Sequence, residues 1–187
     1  MFVSKASGVD RSGWSDAALC AEVAELAAVA ERANADLVRA VGVWQARAAW
    51  TEDGSLSGPA WLAANTPMTR PAAARLCATA RLVHGHEQTA KALDVGDVTV
   101  AHVEVLAAVV RRREELYPEH EDTLLNAAGA LSPDDLVTVA RRWRSLADDQ
   151  LAALDAASSH ANRYLHVSPT LGAARSTGSS TRPPPRR

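Results

Sequence analysis

Apolar residues recur along the N-terminal part of the chain at Leu19, Val23, Leu26, Ala30, Ala33, Leu37, Ala40 and Trp44, in alternating steps of four and three. That spacing gathers them into one stripe along an α-helix. Ser15 precedes the stripe and offers a hydroxyl to the free amides of the first turn. Asp16 suits the positive end of the helix dipole. The next position in the series is Arg47, which ends it, so the pattern predicts one helix over about residues 15–50, with Gly42 as a place to bend. At about 1.5 Å per residue such a helix is ~50 Å long. It cannot bury its stripe against itself and calls for partner helices or a second subunit.

The remaining pattern is a series of shorter helices with recognisable ends. Residues 51–57 (TEDGSLS) read as a loop, and Ser57 caps a short helix with Pro59 in its first turn. A proline is harmless there because its missing N–H has no partner to lose. Residues 66–69 (TPMT) make a tight connection to a helix from about Arg70 to Gly85, with Leu76, Ala80 and Val83 on its apolar face. A small helix over 87–93 leads to the breaker at 94–97 (DVGD). Thr99 caps a helix over 100–117 that Pro118 stops, and 119–128 is the next, ended by Gly129. Ser132 to Asp135 is a variant capping box, with Asp where Glu is usual. It opens a helix through Leu136, Val139, Trp143 and Leu146, which residues 148–158 continue or restart. From about Leu171 the text turns to LGAARSTGSSTRPPPRR, a composition that cannot bury enough apolar surface to order itself. The predicted fold is therefore all-α: a helical bundle of about seven helices with one long N-terminal helix. Residues 1–14 are expected to be a flexible N-terminus, 15–170 a helical domain, and 171–187 a disordered basic tail. There is no internal repeat.

Composition strengthens the helical reading. Hydrophobic residues make up 47% of the 187, alanine dominates them, and aromatics are only 4%. Alanine has the best helix propensity and little to give a strand. No apolar run reaches the ~20 residues that span a bilayer. The opening MFVSKASGVDRSGW has no apolar h-region, so no secretory signal is read there and a cytoplasmic protein is expected. Cys20 and Cys77 each sit in a helical pattern and read as buried thiols; two cysteines do not by themselves imply a disulfide. The net charge of −2 hides an asymmetry. Residues 1–155 hold all 22 acidic side chains with 15 of the 20 basic ones, while 156–187 hold five arginines and no acid. An acidic body argues against general charge-driven binding to DNA or anionic lipid, so any nucleic-acid contact must be local.

No complete catalytic or metal-binding constellation emerges. His84 and His86 flank Gly85 at a helix end with no further ligand nearby, and read as a solvated terminus. His102-Val103-Glu104 matches the start of the zinc-deaminase signature, but no Pro-Cys-x-x-Cys follows. His120 lies among Glu119, Glu121 and Asp122 in what reads as an exposed acidic first turn. His160 and His166 fall near or beyond the end of the core. Asp134/Asp135 and Asp148/Asp149 are better explained as helix-start carboxylates than as an acid–base pair. Arg111 to Arg113, followed by Glu114-Glu115, reads as a solvated helix end with intrahelical pairs. Trp44, Trp50, Trp61 and Trp143 read as core anchors, with Arg141, Arg142 and Arg144 on the surface beside the last. Hence no catalytic residue, metal, cofactor or small-molecule ligand is assigned, and the chain is not expected to be an enzyme on its own.

One region stands apart. Residues 54–86 contain no acid and carry Arg70, Arg75 and Arg81, over a short helix, a tight turn and a second helix. This is the outline of a helix-turn-helix, in which the second helix meets the major groove and arginines meet phosphates or guanine edges. It is equally the outline of an ordinary helical hairpin. Arg70, Arg75 and Arg81 are the candidate DNA contacts.

The order of several short motifs adds a resemblance. Trp50, Asp53-Gly54, Ser57 and Trp61-Leu62-Ala63 are followed by an alanine- and arginine-rich helix. Then come Ala92-Leu93, Gly96-Asp97-Val98-Thr99 and His102, and later Leu125, Ala127, Leu131-Ser132, Leu136, Arg141 and Trp143. Over about residues 15–170 the chain resembles the actinobacterial domain of unknown function 222, found at the N-terminus of HNH-endonuclease-signature proteins, including mycobacterial repeat-associated proteins linked to mobile sequences. The resemblance implies a helical accessory domain followed by an HNH nuclease, whose histidines and asparagine hold a divalent metal. Here RYLHVSPTLG (163–172) still resembles the family, but the text then turns to GAARSTGSSTRPPPRR with no HNH residues, so no catalytic role carries over. That break suggests a truncation or frameshift before the nuclease. The expectations are thus a nucleic-acid-associated accessory domain, a module that self-associates through the long helix, or a remnant of a mobile element.

Overall fold

The computed structural model describes residues 10–161, 166–170 and 173–177, with side chains to Ala157. The fold is all-α, with seven α-helices and one small two-stranded antiparallel sheet among the described residues. The helices are α1 (Asp16–Ala46), α2 (Gly58–Asn65), α3 (Arg70–Gly85), α4 (Glu87–Val95), α5 (Val100–Val110), α6 (Tyr117–Ala130) and α7 (Pro133–Ala161). No helix among the described residues is long and apolar enough to cross a membrane.

Most helix starts follow from local chemistry. Ser15, Ser57, Thr69 and Thr99 each accept a hydrogen bond from an amide of the first turn, at Ala18, Ala60, Ala72 and His102. Ser132 Oγ accepts from the Asp135 amide at 3.2 Å and donates to the Asp135 carboxylate at 2.7 Å, so Ser132 caps α7; the reciprocal capping box, with the side chain also accepting from the cap's amide, forms instead at Thr99 and His102. Gly96 ends α4 in the left-handed region at φ 82°, where a side chain would be strained.

The chain divides into two compact units, Met1–Arg142 and Trp143–Arg187. In the first, α3 is the central element and packs against α1, α2, α4 and α5. Its small residues Ala73, Cys77 and Ala80 are 0–1% exposed and admit close neighbours. Gly42 of α1 sits at the crossing. A Cβ there would lie 3.0 Å from the Ala80 carbonyl and 3.0 Å from His84 Cβ. Gly42 therefore serves close approach rather than a bend. Val38, Val103, Leu106, Tyr117 and Leu124 complete the core, all within 2% of full burial. Cys77 is buried as expected, whereas Cys20 is exposed, and both are free.

Several expectations are corrected. The stripe on α1 is not its buried face: Ala35, Val38, Val41 and Gly42 are buried instead, while Val23 is 65% and Leu26 50% exposed. Both faces of this alanine-rich helix are apolar, and spacing alone does not say which one meets α3. Pro118 starts α6 rather than stopping α5, because Arg111 leaves helical geometry and Arg112 takes φ 72°. Arg113 folds back to donate to the Val109 and Arg111 carbonyls, so this arginine run caps a helix end through main-chain acceptors. Asp148 and Asp149 lie within α7, which runs on unbroken, so they mark no helix start. Arg11 pairs with Glu22 and lies 5.7 Å from the Trp14 ring, so residues 10–14 are tied to α1. In the second unit, His166–Thr170 and Ala173–Thr177 pair antiparallel, with His166 opposite Thr177. The second of these strands falls within residues 171–187. The rest of the expected tail, 171–172 and 178–187, and residues 1–9 lie outside the described residues.

Candidate nucleic-acid interface

The acid-free stretch folds as the sequence suggests. α2 and α3 are joined by the four residues 66–69 and pack on each other. Thr66 closes the turn through its hydroxyl, which donates to the Leu62 carbonyl at 2.6 Å. Arg70, Arg75 and Arg81 are all exposed. Their guanidinium groups have no ion-pair or hydrogen-bond partner among the described residues.

Their positions on α3 differ. At about 100° of rotation per residue, Arg70 and Arg81 lie within ~20° of each other, and Arg75 lies ~140° away from Arg70. Between them the helix surface carries Pro71, Ala74 and Ala78, of which the first two are exposed and Ala78 is half-buried. Two edges of guanidinium charge thus flank a shallow strip of small apolar groups. A helix with this cross-section can enter a groove whose two walls are phosphate. His84, exposed near the C-terminal end of α3, adds a further nitrogen on the Arg81 side. Burial raises the Cys77 thiol above its ordinary pKa, partly offset by the Arg81 charge, so this cysteine is a packing group and not a nucleophile.

Three tryptophans expected in the core cluster instead at a half-buried corner. Trp44 stacks at a tilt against Trp50 (5.1 Å between centroids) and Trp61 (5.2 Å). Trp61 Nε1 donates to Asp53 at 2.5 Å, which pins the 3-10 turn Ala49–Asp53 to α2. Gly58 lies beneath Trp44, where a Cβ would meet the ring at 3.0 Å. Trp143, by contrast, is 8% exposed, with Arg141, Arg142 and Arg144 on the surface.

The histidines are placed by structure rather than chemistry. His102 Nδ1 accepts from the Thr99 amide at 3.1 Å, and Nε2 donates to the Leu131 carbonyl at 2.9 Å. Both nitrogens are therefore spent on joining two helix ends. His86 is not a solvated terminus: it is half-buried, meets Tyr117 edge-on at 4.7 Å, and has Nδ1 3.8 Å from Glu121. Glu121 is 6% exposed, not part of an open acidic turn. It accepts from the Thr89 amide at 2.9 Å and from Thr89 Oγ1 at 2.7 Å, while Thr89 Oγ1 and Tyr117 Oη lie 2.9 Å apart. Glu121 thus caps α4 from another helix. Glu31 of α1 does the same for α5, accepting from the Val100 amide at 2.6 Å. Sequence reasoning missed both because the spacings, 32 and 69 residues, carry no local signal. Among the described residues, no group of three or more His, Cys, Asp or Glu side chains is placed to hold a metal ion.

No protein-family model, curated protein or solved structure matches this chain.

Proposed function

We propose that the chain is a cytoplasmic, non-catalytic helical accessory domain that contacts duplex nucleic acid through α3, of the kind found in the domain of unknown function 222. The observation that carries this reading is the pair of arginine edges on α3, Arg70 with Arg81 and Arg75 opposite. They are exposed and unpaired on a surface strip of small side chains, within a stretch of 33 residues that has no acid. The motif order given above supports the family. Small groups between the arginines offer little hydrogen bonding to base edges, so binding is mainly to phosphate and tolerant of sequence. The residues that would carry it do no bond-breaking.

Fluorescence anisotropy with a labelled duplex tests the reading. The chain binds at low salt, and log K falls with log salt at about 0.9 per phosphate neutralised. Replacing Arg70, Arg75 and Arg81 together by Ala lowers that slope by roughly 2–3 and leaves helix content unchanged. The same measurement on a chain ending at residue 170 removes the basic tail as a source of binding. Absence of binding at low salt, or a slope unaffected by the triple change, refutes the proposal.

A further inference from the structure

The stripe from Leu19 to Trp44 lies in solvent along most of α1. Val23 is 65%, Leu26 50% and Leu37 37% exposed, and beside them Val29 is 47% and Val43 44% exposed. The buried face of α1, at Ala35, Val38 and Gly42, points elsewhere, so packing on α3 leaves this stripe uncovered. Steps of four and three over seven intervals match a second helix laid along the first, with each apolar residue entering a gap between four others. An isolated exposed leucine needs no explanation; a continuous seam of this kind does.

We propose that α1 pairs with α1 of a second copy of this chain, antiparallel, about a two-fold axis between Ala30 and Ala33. Charge fixes both the occupant and the direction. Glu22, Glu31, Asp36 and Arg39 are engaged within the chain; of the other charges on α1 and its C-cap, residues 16–31 hold two acids, Asp16 and Glu25, and no base, whereas 32–47 hold two bases, Arg32 and Arg47, and no acid. A parallel pair sets the acidic halves side by side. An antiparallel pair sets each against the arginine-bearing half of the other copy, and also opposes the helix dipoles favourably.

The register follows from the symmetry. Ala30 faces Ala33 of the second copy, Leu26 faces Leu37, Val23 faces Ala40 and Leu19 faces Trp44. The next layer in the same series sets Asp16 against Arg47 at each end of the seam. Both are exposed, and neither has an ion-pair partner among the described residues. Small residues at the centre allow close approach; outward from them leucine meets leucine, Val23 meets the small Ala40 and Leu19 meets the flat ring of Trp44. A C2 dimer of this kind is isologous: the same patch serves both subunits. The inference is independent of nucleic-acid binding, since α3 lies on the other face of α1.

Sedimentation equilibrium of the full chain tests it. A reversible monomer–dimer equilibrium is expected. Leu26→Glu combined with Leu37→Glu abolishes the dimer while far-UV circular dichroism stays that of the parent, because both sites are exposed in the monomer. Arg47→Glu weakens association roughly tenfold, and adding Asp16→Arg restores it, since the swapped charges again oppose. Direction is read by crosslinking in a Cys20→Ser background. Chains carrying Val23→Cys form disulfides with chains carrying Ala40→Cys and not with themselves. A monomer at all concentrations, a dimer indifferent to the double glutamate, or self-crosslinking at position 23 overturns the proposal.

Discussion

Glu121 is the buried group whose removal tests the packing logic most directly, and Glu121→Ala is the perturbation. Its carboxylate accepts two hydrogen bonds from Thr89, one from the main chain at 2.9 Å and one from the hydroxyl at 2.7 Å, at 6% exposure. Hydrogen bonds to a charged acceptor contribute about 1.5–3 kcal/mol each. The truncation also leaves the Thr89 amide, in the first turn of α4, buried without an acceptor. Against this stands the relief of no longer holding a charge out of water, which lowers the net cost. The balance is a loss of about 3 kcal/mol, or a fall of roughly 6–12 °C in Tm for a domain of this size. Glu121→Gln keeps an acceptor oxygen in place and costs about 1 kcal/mol. Urea unfolding followed by far-UV circular dichroism gives both values. Amide exchange at Thr89 gives a local readout, with protection lost in the alanine variant and kept in the glutamine variant. A glutamine variant as damaged as the alanine one, or an alanine variant within about 1 kcal/mol of the parent, refutes the assignment of Glu121 as the cap of α4.

Two further outcomes follow from the same core. Burial, with the Glu121 charge adding to it and the Thr89 hydrogen bond opposing it, pushes the Tyr117 hydroxyl up to about 12. The neutral phenol is thus favoured in the folded chain, and the unfolded chain releases its proton near the ordinary value of about 10. Stability contributed by this group is intact below about pH 10 and is lost as pH rises toward 12, on the order of 3 kcal/mol in all, while Tyr117→Phe flattens that decline. Denaturant melts across pH 9–12 measure it, and an unchanged slope in the phenylalanine variant counts against the burial of Tyr117. Gly42→Ala brings a methyl to 3.0 Å from the Ala80 carbonyl, so the crossing of α1 and α3 must open. The strain of about 1–3 kcal/mol exceeds the ~1 kcal/mol gained in helix propensity, giving net destabilisation in chemical melts; a stabilised variant disproves the close crossing.

Helix number, order and most starting points were legible in the sequence because they rest on contacts within four residues. Ser15, Ser57, Thr99 and Ser132 each announce a first turn by the hydroxyl they offer to its amides. The acid-free stretch around Arg70, Arg75 and Arg81 was equally visible, since charge is read directly. Its division into two edges was not read there, although the angles follow once α3 is a helix from Arg70 to Gly85. The C-terminal end of α5 was misplaced because Pro118 suits both the stop of one helix and the first turn of the next.

By itself, the sequence determined that the chain is built of helices, where most of them start, and that the acidic body carries one acid-free stretch with three arginines. Those properties depend on neighbours in the chain. Only the tertiary structure decided which face of α1 is buried, that three tryptophans gather at a surface corner, and that Glu31 and Glu121 cap helices far away in the chain. Hydrophobic burial is non-directional, so a helix apolar on two sides is compatible with either orientation until Gly42 finds the Ala80 backbone. A buried carboxylate, likewise, is tolerable only where the folded chain brings amide donors to it.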